Sequence, residues 1–197
     1  LCPDKISTDE WLECHEAAHS IGLHSNITIM FGSIENPIHW ANHIIRTRDV
    51  QKQTGGFTEF VPLPFVHMAS PIYLQRQARR GPTFRETLLM HSVGRIAYSG
   101  LIDNIQISWV KLGPAGVKQL LNAGANDLGG TLMDENISRA AGAQHGQGVV
   151  ESDFRAMVEP TGRKLRQRTT GYGQADGAPQ VISEPTLTAD NPTDRKL

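Results

Sequence analysis

Cysteine, aromatic side chains and excess charge are all scarce in this chain. Cysteine occurs only at Cys2 and Cys14, too few for a disulfide framework and at no metal-ligand spacing, so a reducing cytoplasm is the expected setting. Nineteen Lys and Arg stand against 20 Asp and Glu, a formal net charge of −1. That balance excludes the basic footprint of a nucleic-acid binder and the polybasic patch of a membrane-docking protein. No apolar run approaches the roughly 20 residues needed to cross a bilayer. Leu1-Cys2-Pro3-Asp4 has neither the basic start nor the apolar stretch of a signal peptide, and a first residue that is not Met reads as a point inside a longer reading frame. With 39% hydrophobic residues over 197 positions, the chain reads as one soluble domain with a real core. It is short for a closed eight-stranded barrel, which needs about 250 residues.

Helix punctuation is legible. Ser7-Thr8-Asp9-Glu10 has capping-box spacing, and Trp11, Cys14, Ala18 and Ile21 follow at helical intervals before Gly22, with Trp11, Cys14 and Ala18 as the expected buried face. Asn36-Pro37 opens a second helix carrying Ile38, Ala41, Ile44 and Ile45, closed by Gly55-Gly56. Thr83 and Glu86 repeat the capping box ahead of Leu88, Leu89, Val93, Ile96 and Ala97. Gly113-Pro114 opens a fourth helix with Val117, Leu120 and Leu121. Apolar or β-branched runs at 27–31, 57–61 and 105–110, and a weaker one at 125–131, read as strands. Helix and strand alternate four times, which predicts an α/β fold with a parallel sheet of about four strands. Short helices are expected at 135–141, after Asp134, and at 153–159. The Pro-rich connection 62–82 reads as an ordered lid, and the aromatic-free, Pro-containing stretch 173–197 as a disordered tail behind a domain spanning 1–172.

Three features invite chemistry. His15-Glu16-Ala17-Ala18-His19 matches the zinc-hydrolase H-E-x-x-H, in which two His one turn apart share the metal and the Glu activates water. The extended pattern wants a third His at position 25, where Ser25 stands, with His24 one residue early. Asn126-Asp127-Leu128-Gly129-Gly130-Thr131 is a Gly-containing strand end that could approach a ligand through bare backbone, although it lacks the marks of a P-loop or a dinucleotide site. The strands also carry polar residues: Thr28, Glu59, Gln106 and Ser108, with Trp109 and Lys111 at the end of the third. A sheet covered on both faces by helices is nearly all apolar, whereas a β/α barrel admits polar side chains at its interior and upper rim.

Four long segments carry a resemblance. Ile29-Met30-Phe31-Gly32-Ser33-Ile34-Glu35, Gly55-Gly56-Phe57-Thr58-Glu59-Phe60-Val61-Pro62-Leu63-Pro64-Phe65, Asn104-Ile105-Gln106-Ile107-Ser108-Trp109-Val110-Lys111 and Gly124-Ala125-Asn126-Asp127-Leu128-Gly129-Gly130-Thr131-Leu132-Met133 resemble the FO synthase family. Within it they are similar to the radical SAM transferases that act on tyrosine, relatives of the futalosine-pathway enzymes. The resemblance implies a role in deazaflavin (FO, coenzyme F-420) biosynthesis. A 4Fe-4S cluster and S-adenosylmethionine generate a 5′-deoxyadenosyl radical, and the 4-hydroxybenzyl group of tyrosine is joined to 5-amino-6-(D-ribitylamino)uracil. It further implies that Thr28, Met30, Gly32 and Glu35 stand where the family strand lies against the cofactor, with Thr28 in place of the first Gly of G-x-I-x-G-x-x-E. Glu59, Gln106, Trp109, Lys111, Asn126, Asp127 and Thr131 match positions facing the substrates, under a roof formed by 62–65 with His67 nearby.

The cluster motif C-x-x-x-C-x-x-C is absent, and Cys2 and Cys14 do not replace it. The resemblance therefore implies the second half of a radical SAM barrel, without cluster ligands and inactive as this chain alone. Its partner would be the missing N-terminal half or a complementing subunit. The alternative from another class is a complete, cluster-free binding or complementing subunit, and the zinc hydrolase stands third.

Overall fold

The computed structural model describes residues 4–132, 135–145 and 148–175. Cys2, the Asp134 cap and positions 176–197 of the expected tail lie outside the described residues. One compact unit runs to Leu165 and a second begins at Arg166. The described part of the second is a small turn in which Arg168 and Gln174 form an antiparallel bridge and the Arg168 guanidinium lies 4.0 Å from the Tyr172 ring centroid.

The first unit runs α1 (Thr8–Ser20), β1 (Ser25–Phe31), α2 (Pro37–Thr54), β2 (Phe57–Pro64), α3 (Pro71–Leu74), α4 (Phe84–Ala97), β3 (Asn104–Ile105), α5 (Trp109–Leu121), α6 (Ile137–Ala140) and α7 (Glu151–Val158), with a 3-10 turn over Glu159–Thr161. The caps fall where the sequence places them. Ser7 and Glu10 close the box on α1, Asn36 caps α2 with Pro37 in its first turn, and Thr83 and Glu86 cap α4. The sheet is parallel in the order β1-β2-β3.

Two elements differ from expectation. The third strand covers only Asn104–Ile105, and the fourth shrinks to a single parallel bridge between Gln106 and Asp127. The prolines of β2 explain the first. Phe65 donates its amide to the Phe31 carbonyl on the β1 side. Backbone N–H groups alternate in direction along a strand, so positions 62 and 64 turn toward β3, where a proline has no proton to donate. Pairing with β3 accordingly ends at the Gln106 amide, which donates to Phe60. Trp109, Val110 and Lys111 are therefore not strand residues but the first turn of α5. Gly113 breaks that helix with φ 64° and ψ 178°, and Pro114 restarts it where the sequence places its opening.

The helix faces also need correction. The side of α1 turned inward includes Trp11, Leu12, His15, Ala18 and His19, all half-buried, so Trp11 and Ala18 face in as expected while Cys14, like Ile21, is exposed. In α2 the buried residues are Ile44, Thr47, Val50 and Gln51, and Ile38 and Ile45 face out. In α4 they are Thr87, Met90, His91 and Gly94, with Leu89, Val93 and Ile96 exposed. The reason is shared: the inward stripe contains polar residues that find partners on other elements. Thr47 Oγ1 is 2.6 Å from the Tyr98 hydroxyl, and Gln51 exchanges hydrogen bonds with both backbone groups of Phe57. Gly94 is needed because a Cβ there would lie 2.8 Å from the Phe60 ring. The core joins Ile27, Phe31, Phe60, Ile105 and Ile107 of the sheet region to Tyr98, Val117, Leu120, Trp109 and Phe154 of the helical layer.

Candidate functional site: the open sheet face and its rim

Alternate residues of the strands point away from that core. Register pairs Thr28 with Val61, Met30 with Leu63 and Glu59 with Asn104, and the bridge pairs Gln106 with Asp127. Paired residues of a parallel ladder share a face. One face thus carries Asn26, Thr28, Met30, Glu59, Asn104, Gln106 and Asp127. Cover increases across it: Asn26, Thr28 and Met30 are exposed, Glu59, Asn104 and Gln106 half-buried, and Asp127 buried. Asn26 donates to Glu59 at 3.4 Å. Asn104, which the resemblance did not single out, belongs to this row, and the alternation Asn104-Ile105-Gln106 is the signal that places it there.

At the end of β1 the chain wraps around Glu35. Its carboxylate accepts from the amides of Gly32, Ser33 (3.1 Å) and Ile34 (3.0 Å), from the Ser33 hydroxyl (2.8 Å) and from the Trp40 indole (3.1 Å). Burial pushes its pKa up, but its own amide, Gly32, Ser33 and Trp40 outweigh that and hold it at about 2. A fixed, charged Glu35 therefore shapes this turn from within. Gly32 has φ 94°, and a Cβ there would lie 2.3 Å from Pro82 Cδ, so its bare backbone receives the connection that follows β2. Ser33 and Trp40 complete the turn; no local sequence signal marks them as partners of Glu35.

The other end of the row is built differently. Asp127 Oδ1 accepts from the Gly129 amide at 2.6 Å, and a Cβ on Gly129 would collide with the Gln106 carboxamide. The Trp109 indole donates to the Gly130 carbonyl, and Trp109 itself is buried against Phe154. Lys111 donates to the buried Ser138 hydroxyl at 2.7 Å; burial lowers its pKa and Glu135 partly restores it. Asn126 Oδ1 accepts from the Ile105 amide (2.9 Å) and the Arg95 guanidinium (2.7 Å). Thr131 is exposed, and its carbonyl accepts from the Val149 amide. Thr28, Met30, Glu59, Gln106 and Asp127 thus share the face; Gly32 and Glu35 form one end of its rim. Trp109, Lys111 and Thr131 lie along the segments after β3, and Asn126 acts as a backbone tie. Two loops meet here, since the Ala69 amide donates to the Ala141 carbonyl.

The His15–His19 pair sits between α1 and the sheet. His15 Nδ1 is 2.8 Å from Ser25 Oγ, while His19 contacts Thr54 Oγ1 through Nδ1 (2.7 Å) and Ser25 Oγ through Nε2 (2.8 Å). Both rings pack on Phe57. Burial lowers both pKa values, helped at His15 by His19 and at His19 by His24. With both nitrogens of His19 engaged, the motif acts as a packing device. Among the described residues no three His, Cys, Asp or Glu side chains converge on a metal position. Cys14 is free and exposed, so these residues do not fit a 4Fe-4S cluster. No helix among them is long and apolar enough to cross a membrane.

Comparison with known proteins is consistent with this geometry. The profile of the CofH/MqnC C-terminal region matches residues 54–179. The chain is 50% identical over 182 residues to the FO synthase of Nocardia farcinica, covering 92% of this chain and 21% of that protein. It is 47% identical over 172 residues to the 5-amino-6-(D-ribitylamino)uracil–L-tyrosine 4-hydroxyphenyl transferase of Methanocaldococcus jannaschii, covering 87% of this chain and 48% of that protein. The chain spans about a fifth of the first and about half of the second.

Proposed function

From the premise that the chain belongs to the CofH/MqnC C-terminal region family, we propose that its open sheet face is the substrate-facing half of a radical SAM β/α barrel. That enzyme joins the 4-hydroxybenzyl group of tyrosine to 5-amino-6-(D-ribitylamino)uracil in deazaflavin biosynthesis. The observation that carries the reading is the polar row Thr28, Glu59, Gln106 and Asp127 on one face of a parallel sheet, open at β1 and increasingly covered toward Asp127. Such a row suits the interior of a barrel.

S-adenosylmethionine, when bound, would supply the radical chemistry. Its adenosyl group fits the exposed strip of Thr28 and Met30, beside the turn that Gly32 and Glu35 shape. Cluster ligands would come from polypeptide outside the described residues. Gln106 and Asp127 offer a carboxamide and a carboxylate to the polar edge of the uracil. Glu59, Trp109, Lys111, Asn126 and Thr131 hold the surrounding rim and the loops over it, whose task is to orient the ligands and exclude water.

The test is binding of 5-amino-6-(D-ribitylamino)uracil to the full-length polypeptide by calorimetry. Gln106→Ala is expected to weaken it about tenfold, the size of a lost buried hydrogen bond to a ligand. Unchanged affinity in that variant would remove the row from the site.

A further inference from the structure

From Phe60 to Arg85 the chain contains four arginines and no acidic residue. In a protein of net charge −1 this connection is a local cationic surface, and the fold fixes it at the rim. The Arg79 amide donates to the Ser33 carbonyl at 3.0 Å. Its guanidinium binds Glu86 at 2.8 Å and stands 5.7 Å from the Trp40 ring centroid. Two residues on, a Cβ at Gly81 would lie 2.7 Å from the Phe65 carbonyl oxygen, and Pro82 fills the space over Gly32. Arg80 is thereby anchored on one side to the end of β1 and on the other to the end of β2. Arg80 and Arg76 are exposed, and neither has an ion pair among the described residues. Arg76 occupies the left-handed position after α3 with φ 61°, where glycine is favoured, and the Gln77 amide closes the turn on Ile72. An arginine at such a strained position is a sign of a side chain in use.

We propose that Arg80, assisted by Arg76, is a clamp for the α-carboxylate of an amino-acid ligand at the rim of the open face. This rests on the function proposed above, whose ligands tyrosine and S-adenosylmethionine both carry that group, while the ribitylaminouracil carries none. Guanidinium is the group suited to it, since its paired N–H donors match the two carboxylate oxygens. Arg79 positions the clamp and does not form it, being held by Glu86.

The experiment is calorimetry on the full-length polypeptide with two ligand pairs: L-tyrosine against tyramine, and S-adenosylmethionine against its decarboxylated form. The carboxylate-bearing member of one pair is expected to bind at least about tenfold tighter. Arg80→Ala should remove most of that preference and the Arg76→Ala/Arg80→Ala double variant all of it. Arg80→Lys should keep part of it, and Lys118→Ala, an exposed change on α5, should leave it intact. The pair that loses its preference identifies the source of the carboxylate. Equal affinity within both pairs in the unaltered protein, or a double variant in which neither pair loses its preference, overturns the clamp alone. Absence of binding by all four ligands overturns the proposed function and the clamp together.

Discussion

The two ends of the sheet are held by different means. β1 and β2 share a ladder from Ser25–Phe57 to Phe31–Pro64, and beyond it Gly32, Pro82 and the Glu35 turn lock the rim through backbone contacts. Between β3 and Asp127 little ladder remains, and side chains take its place. Asn126 satisfies the Ile105 amide, Asp127 turns back on Gly129, and Arg95 ties the Gly124 and Asp103 carbonyls. A parallel sheet therefore survives two ladder-breaking prolines where polar side chains replace the lost backbone partners. The first end depends on shape and the second on specific polar atoms.

The sharpest way to break the first end is Gly32→Ala. The new methyl would meet the ring and backbone nitrogen of Pro82 at 2.3 Å, and the φ of 94° is unfavourable for any L side chain. Overpacking and backbone strain together should cost about 3–5 kcal/mol, measured by urea unfolding. A loss below about 1 kcal/mol would mean that Pro82 moves aside freely.

Acid titration separates the same regions by a second route. His43, on α2 beside β1, is kept neutral by burial and by His15, with its pKa lowered from 6.5 to about 4. Between those values the unfolded chain takes up the proton and the folded chain does not. Stability is therefore full above pH 6.5 and declines as the pH falls toward 4, by about 2–3 kcal/mol. His43→Gln should flatten that slope. His91, on α4 behind Gln106, is also lowered by burial, but the Thr87 and Gln106 carbonyls draw it back toward protonation, so His91→Gln should change the slope less. If the slope survives His43→Gln, another group causes it.

At the second end, Asn126→Ala removes the acceptor of the Ile105 amide and of Arg95 together. The expected cost is about 2 kcal/mol, from an amide left unsatisfied beside the core. Asn126→Asp should recover most of it, since a carboxylate accepts from both donors. Equal losses in the two variants would show that the side-chain tie is dispensable.

Much of this division was legible in the sequence, and its failures have a common cause. Caps, element order and the parallel sheet follow from Ser7, Asn36, Thr83 and the four alternations, because these signals are local. The inward stripes of α1, α2 and α4 are legible only in part: Trp11, Ile44 and Leu88 turn inward as expected, but His15, His19, Thr47 and Gln51 look like surface residues until their partners on other elements are known. Residues 105–110 form a single apolar run, yet Ile105 and Ile107 enter the core from the sheet side and Trp109 and Val110 from a helix. Of the candidate site, Thr28, Glu59, Gln106 and Asp127 share one face through strand register alone. Asn126 and Glu35 are occupied by backbone contacts that spacing alone does not reveal.

The smallest change addresses the cause of the asymmetry. Pro62→Ala restores an N–H directed toward β3, where the Gln106 carbonyl would be the next acceptor in a parallel ladder. Loss of the buried ring and greater freedom of the unfolded chain oppose this gain, so net stability should change by less than about 1 kcal/mol. The informative readout is amide hydrogen exchange: residue 62 should gain a protected amide, and β3 should lengthen past Ile105. If that amide exchanges as fast as an exposed one, the prolines do not end the ladder. The short third strand would then be set by the pull of Trp109 and Val110 into α5, and the difference between the two ends of the sheet would originate in the helix.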